Sequence, residues 1–180
     1  MRWRGVHHVE FSVLDYDASV AFYDRMFGWL GYQSFWSLDL GYRSTYYMAR
    51  FPLPHSYIGI QPAQSGGPLT HADRQTGIHH IALWAKSRRE IARFHTDFLV
   101  KNDVTVTDPP ARYPLYAPGY TAVFFDDPIN GIHWELAYTP RLPSPKDFVA
   151  WRRAVKTAEA AHPEWGTSMV KTGMRKLPGR

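Results

Sequence analysis

Two stretches of this chain carry nearly the same text. They are Val6-His7-His8-Val9-Glu10-Phe11-Ser12-Val13 and, 72 positions later, Ile78-His79-His80-Ile81-Ala82-Leu83-Trp84-Ala85. Each is a β-branched, apolar-rich run of the kind that favours a strand. Each is followed by a helix-like segment and then by short strand-like runs. A chain written this way is restricted to folds in which two copies of one supersecondary unit pack together. Histidine stands at the same point of both copies, and imidazole is the commonest metal ligand among side chains. Two imidazoles meeting at the seam between the copies are therefore the leading functional expectation.

Copy one spans residues 5–62. After the strand at 6–13, Asp15 or Asp17 caps a helix whose apolar stripe is Val20, Tyr23, Met26, Phe27 and Leu30, with Gly28 and Gly31 flanking its end. Strands follow at 33–38, 43–50 and 56–61, and Pro52 and Pro54 break the chain between the last two. Residues 63–77, with Ser65-Gly66-Gly67-Pro68, read as a linker.

Copy two spans 78–140 and opens with a strand at 78–85. Ser87-Arg88-Arg89-Glu90 has a capping-box pattern, and Ile91, Phe94, Phe98 and Leu99 form the helix stripe behind it. Strands are predicted at 104–107, 120–126 and 132–138, the last two joined by a turn at Asp127-Pro128-Ile129-Asn130-Gly131. The order is β-α-β-β-β, twice, an α+β chain. Residues 141–180 leave the repeat. Ser144-Pro145 starts a helix through about Ala161, with Phe148, Trp151, Val155 and Ala158 as the face that docks on the body or on a partner. Beyond Pro163 the Gly, Lys, Arg and Pro content predicts weak order.

Composition removes several function classes. At 180 residues the chain can bury a substantial core without staples. It has no Cys, so any metal must sit on His, carboxylate or amide ligands. The net charge of +5 is unevenly placed: residues 141–180 hold nine Lys/Arg against three Asp/Glu, while 1–140 hold twelve against thirteen. A basic tail on a neutral body argues against a nucleic-acid groove. No signal-peptide pattern and no apolar run of membrane-spanning length is present. The expectation is a cytoplasmic protein with neither nucleic acid nor membrane as partner.

Neighbours on a strand face opposite sides, so one histidine of each pair can enter a shared cavity. Alternation favours His8 and His80. The strand His133-Trp134-Glu135-Leu136 places an acid in an apolar run, where a carboxylate is costly unless paired or coordinated. Two imidazoles and one carboxylate make the arrangement typical of non-haem Fe(II), also usable by Mn(II), Zn(II) or Ni(II). The bland alternative is a pair of satisfied strand histidines and a Glu135 paired with an arginine such as Arg43.

Three stretches carry a family resemblance. The run from His8 to Asp15 with Ser19-Val20-Ala21-Phe22-Tyr23 and Phe27-Gly28-Trp29 resembles the opening of a vicinal oxygen chelate module. So does His80-Ile81-Ala82-Leu83, and Phe124 to Gly131 through Glu135 resembles the closing strand pair. That superfamily includes glyoxalase I, type I extradiol dioxygenases, and the fosfomycin and bleomycin resistance proteins. The resemblance covers about residues 5–138 and implies paired modules curled into a cupped mixed sheet with one divalent metal in the cup. It implies His8, His80 and Glu135 as ligands, with His7 and His79 as off-face neighbours.

Glyoxalase-like members carry a fourth ligand, usually Glu, in the last strand of module one. Here that strand reads Tyr57-Ile58-Gly59-Ile60-Gln61, which leaves Gln61 as a poor fourth candidate. Three ligands favour a dioxygenase-like enzyme with Fe(II) or Mn(II) over a lyase or isomerase. Against that, the Tyr that ring-cleaving members hold before the final turn is Phe125 here, and His71 and Tyr120 are the residues that could replace it. His71, Tyr57 and Tyr120 are thus the candidates for proton transfer or orientation. The substrate is a small molecule with two adjacent oxygens, and a homodimer is expected. The alternative is a metal-free sequestering protein of the bleomycin-resistance type.

Overall fold

The computed structural model describes residues 6–39, 41–49, 56–74 and 76–163, which places the predicted breaks at Pro52 and Pro54 and the tail after Pro163 outside the described residues. Module one comprises β1 (His8–Val13), α1 (Tyr16–Leu30), β2 (Tyr32–Asp39), β3 (Arg43–Ala49) and β4 (Tyr57–Pro62). Module two comprises β5 (Ile81–Trp84), α2 (Arg88–Phe94), β6 (Val106–Arg112), β7 (Thr121–Asp126) and β8 (His133–Tyr138), and α3 (Pro145–Ala161) follows. Each module forms its own mixed four-stranded sheet, ordered β1-β4-β3-β2 and β5-β8-β7-β6. In each sheet the first strand lies parallel to the last, and the remaining pairs are antiparallel. The tandem βαβββ reading holds.

Local chemistry explains the elements. Asp15 caps α1 by accepting from the Ala18 N–H at 3.0 Å, and Gly31, at φ +84°, ends it in the left-handed region. Asp17 instead pairs with Arg43, which therefore is not the partner of Glu135. Ser87 caps α2 through the Glu90 N–H, but the Glu90 carboxylate reaches back to the Lys86 N–H rather than to its cap residue. The predicted strand at 104–107 is longer, running through Pro109 and Pro110. It tolerates both prolines because β6 is an edge strand, and its pairing with β7 shifts register on either side of Asp108.

One core joins the modules. Tyr23 and Phe27 of α1 pack against Phe11 and Tyr47 of their own sheet and against Trp134 of the other, with ring centroids 4.7–5.8 Å apart. Phe22 meets Phe98, and Trp29 meets Phe94, bringing α1 beside α2 and the π-helical turn His95–Leu99 that extends it. The β7–β8 turn bolts this joint. Buried Asp127 accepts from the Ile129, Asn130 and Ile132 N–H groups, from the Asn130 amide and from the Tyr23 hydroxyl. Asn130 in turn accepts from the Leu14 N–H at 2.8 Å and donates to Ser19 at 3.1 Å. Gly131 sits at φ +68° so close to the linker that a Cβ would lie 2.0 Å from the Leu69 oxygen.

A capping box of Ser144 and Asp147 begins α3. Asp147 is buried, held by Arg88 and Arg112, and its carboxyl lies below the usual carboxylate range because Ser144 and then the arginines stabilise its charge. Trp151, Val155 and Ala158 are half-buried, but Phe148 is 41% exposed. With Asp147 turned inward, the next residue is carried about 100° round the helix to the open side. Ser144→Ala is expected to destabilise α3 by about 0.5–2 kcal/mol, read as faster amide exchange in the first turn of the helix. Among the described residues no helix is long and apolar enough to cross a membrane.

Candidate metal centre

Alternation places Phe11 and Val13 of β1, Leu83 of β5, and Trp134 and Leu136 of β8 on the faces turned to the shared helix layer, where all are buried. The opposite, outer faces then carry Glu10, Ala82 and Glu135. His8 opens β1 on that outer face. His80 sits one residue before β5, which starts later than predicted, at Ile81.

In module two the outer face gathers a polar cluster around Glu135. Its carboxylate is buried at 4% exposure, with Oε2 3.3 Å from His80 Nε2 and Oε1 accepting from the Tyr120 hydroxyl at 2.6 Å. Burial, and then the Glu135 charge, push the Tyr120 phenol well above its ordinary range, so it remains a proton donor. His80 stays open to solvent, with its side chain 36% exposed. Beside this pair, His133 is buried and bonded through Nδ1 to Asp126 at 2.5 Å. His71, on a 3₁₀ turn at His71–Asp73, stacks on His133 with centroids 3.6 Å apart.

The His-His pairs share a second feature. His79 Nδ1 lies 2.8 Å from His80 Nδ1, and His7 Nδ1 lies 2.9 Å from His8 Nδ1. Each contact leaves the Nε2 of His8 and of His80 uncommitted to its neighbour, and it orients the ring as an outer partner of a ligating histidine does. Desolvation of this exposed ring, and then His71, His80 and His133, hold His79 below the usual imidazole pKa. Imidazole Nε2 and a buried carboxylate oxygen form a donor set that fits Fe(II), Mn(II), Zn(II) or Ni(II).

The structure thus brings together His80, Glu135 and Tyr120, with His71 at the edge of the same cluster. Three of the sequence candidates lie elsewhere. His8 stands against His7 and Tyr46, its ring 6.4 Å from the tyrosine. Tyr57 packs on His7 with centroids 5.3 Å apart. Gln61 sits with its amide 3.5 Å from Ser12 Oγ. Among the described residues no three His, Asp or Glu groups are gathered tightly enough to hold a metal ion within one chain. Phe125, by contrast, is buried in the core against Phe94, on the face away from Glu135.

Sequence reasoning passed over Glu10, Tyr46 and Asp126. The first two share the outer face of module one with His8, where Ser44 donates to Glu10 at 3.2 Å and burial, then Glu10, push the Tyr46 phenol up. The available signal was the His-x-Glu spacing on a strand, which puts both side chains on one face.

Comparisons with known proteins agree with this architecture. The model of the Glyoxalase/Bleomycin resistance protein/Dioxygenase superfamily matches residues 5–136. No curated protein matches the chain. Among solved structures, a protein of Bacillus halodurans described as a glyoxalase is 26% identical over 74% of this chain and 95% of its own, with a TM-score of 0.56. A glyoxalase/bleomycin resistance protein/dioxygenase domain from Frankia is 16% identical over 78% of this chain and 95% of its own, with a TM-score of 0.59. The fosfomycin resistance protein FosX of Listeria monocytogenes, solved with Mn(II) and sulfate, is 16% identical over 82% of this chain and 99% of its own, with a TM-score of 0.52. With both sheets and the matched span in agreement, this chain belongs to the glyoxalase/bleomycin resistance protein/dioxygenase superfamily of vicinal oxygen chelate proteins.

Proposed function

We propose that the protein is a metal-dependent enzyme acting on a small substrate that offers two adjacent oxygens. The observation that carries this reading is the pairing of His80 Nε2 with the buried Glu135 carboxylate, 3.3 Å apart, beside a tyrosine that fixes the carboxylate's other oxygen. His80 and Glu135 supply two donors, and His8 supplies a third from a second copy of the chain. The modules of one chain join through their helix-side faces, which leaves the outer face bearing His8 free to meet the outer face bearing Glu135 of a partner. Trp84, 78% exposed on the His80 side of β5, gives such a partner apolar surface to cover.

A divalent metal held there, Fe(II) or Mn(II) before Zn(II) or Ni(II), supplies Lewis acidity to the substrate's oxygens. Tyr120 holds Glu135 and stays protonated. His71 and His133, linked to Asp126, lie where a proton could be passed at the rim, whereas Tyr57 serves as wall beside His7. Water is excluded from Glu135 by Tyr120, Phe124 and the histidine stack.

Elemental analysis of untagged protein tests this. Wild type is expected to carry or take up one divalent metal per site, and His80→Ala to lose it by about 10–100-fold or more in affinity. A folded wild type that binds neither Fe, Mn, Zn nor Ni overturns the enzyme reading and leaves a metal-free binding protein.

A further inference from the structure

The two modules place their carboxylates on different strands. In module two, Ala82 of β5 is paired in register with Glu135 of β8. In module one the corresponding pair is Glu10 of β1 with Gly59 of β4, so the acid and the small residue have changed places. Adjacent strands lie about 4.8 Å apart, so the carboxylate of module one is displaced by one strand and stays on the same face. Gly59 has no room for a side chain, because a Cβ there would lie 2.7 Å from the ring of Tyr46. That ring covers Gly59, and the Glu10 carboxylate, after burial, helps push the Tyr46 phenol up, while Ser44 donates to Glu10 Oε1 at 3.2 Å. Each module therefore sets a tyrosine beside its outer-face carboxylate, Tyr46 near Glu10 and Tyr120 bonded to Glu135, and Ser44 supplies the hydrogen bond to Glu10.

We propose that Glu10 is the fourth protein donor of the metal site, binding alongside His8 as a His-x-Glu strand chelate aimed by Tyr46 and Ser44. This rests on the metal-centre reading above and sharpens it. Gln61 drops out as a ligand, since its position along β4 is no longer needed. With two imidazoles and two carboxylates as protein donors, a six-coordinate ion would have room for a two-oxygen chelate and none for O₂. The dioxygenase preference, which rested on the missing fourth carboxylate in the strand from Tyr57 to Gln61, gives way to lyase- or isomerase-type chemistry.

Co(II) titration of the full-length apo protein, followed by visible absorption, tests the proposal without a substrate. Glu10→Gln is expected to weaken Co(II) binding by at least about tenfold and to alter the absorption bands, with Gln61→Ala leaving both as in wild type. Glu10→Gln protein that binds Co(II) with wild-type affinity and spectrum overturns the assignment while the His8, His80 and Glu135 site survives. A wild type that takes up no Co(II) overturns this proposal together with the metal reading. Should Glu10→Gln fail to fold, Tyr46→Phe keeps the ring over Gly59 but releases the carboxylate. Weaker Co(II) binding by that variant supports the proposal, and unchanged binding and spectrum overturn it.

Discussion

Equal amounts of His8→Ala and His80→Ala chains, unfolded together and refolded, are expected to recover about a quarter of the wild-type metal sites, although each variant alone holds almost none. The number follows from the geometry. If a cup takes His8 from one copy and His80 with Glu135 from the other, a dimer of the two variants contains one cup lacking both imidazoles and one cup with both intact. Random pairing makes about half of the dimers mixed, and each mixed dimer has one good cup of its two. A cup closed within one chain would always lack one imidazole, and mixing would recover nothing. Metal content and the Co(II) spectrum of the separated dimers give the readout, and a mixture of confirmed dimers with no recovered metal sinks the shared site. The expectation has a structural root. The aromatic contacts from Phe11, Tyr23 and Phe27 to Trp134 occupy the inner faces of both modules, so the faces carrying His8 and Glu135 are not used by that joint.

The doubled His-His motif made the architecture legible because it marked the same strand of the same unit twice. The helix stripes did the rest: Tyr23, Met26 and Phe27, and Ile91, Phe94 and Leu99, are all fully buried. Glu135 was legible for a physical reason, since an acid inside an apolar strand needs a partner, and His80 and Tyr120 provide it. Strand alternation failed locally at His79 and His80, because both precede β5 and their rings touch through Nδ1 instead of facing apart. Alternation also says which residues share a face but not which faces of two sheets meet. The helix layer decides that, and its aromatic partners come from strands far apart in sequence. Glu10 is not legible from the family pattern, which places a fourth ligand on β4, where the Tyr46 ring crowds the position of Gly59.

The turn at 127–131 is more than a strand connection, because it carries the joint between the modules. Asp127→Ala is expected to cost about 3–5 kcal/mol, a large part of the roughly 5–15 kcal/mol that holds a domain together. Asp127 is 2% exposed, and removing its carboxylate strands the Ile129, Asn130 and Ile132 N–H groups where water does not reach easily. It also strands the Tyr23 hydroxyl, whose proton is held well beyond its ordinary range by burial and then by the Asp127 charge. Tyr23→Phe removes one neutral donor together with its need for an acceptor, and is expected to cost about 1 kcal/mol. Urea denaturation monitored by tryptophan fluorescence measures both, and an Asp127→Ala loss below about 1 kcal/mol would contradict this account. The double variant separates bolt from packing. If Asp127 joins the modules through Tyr23, Tyr23→Phe in the Asp127→Ala background stabilises or is neutral, because a stranded hydroxyl leaves the core along with it.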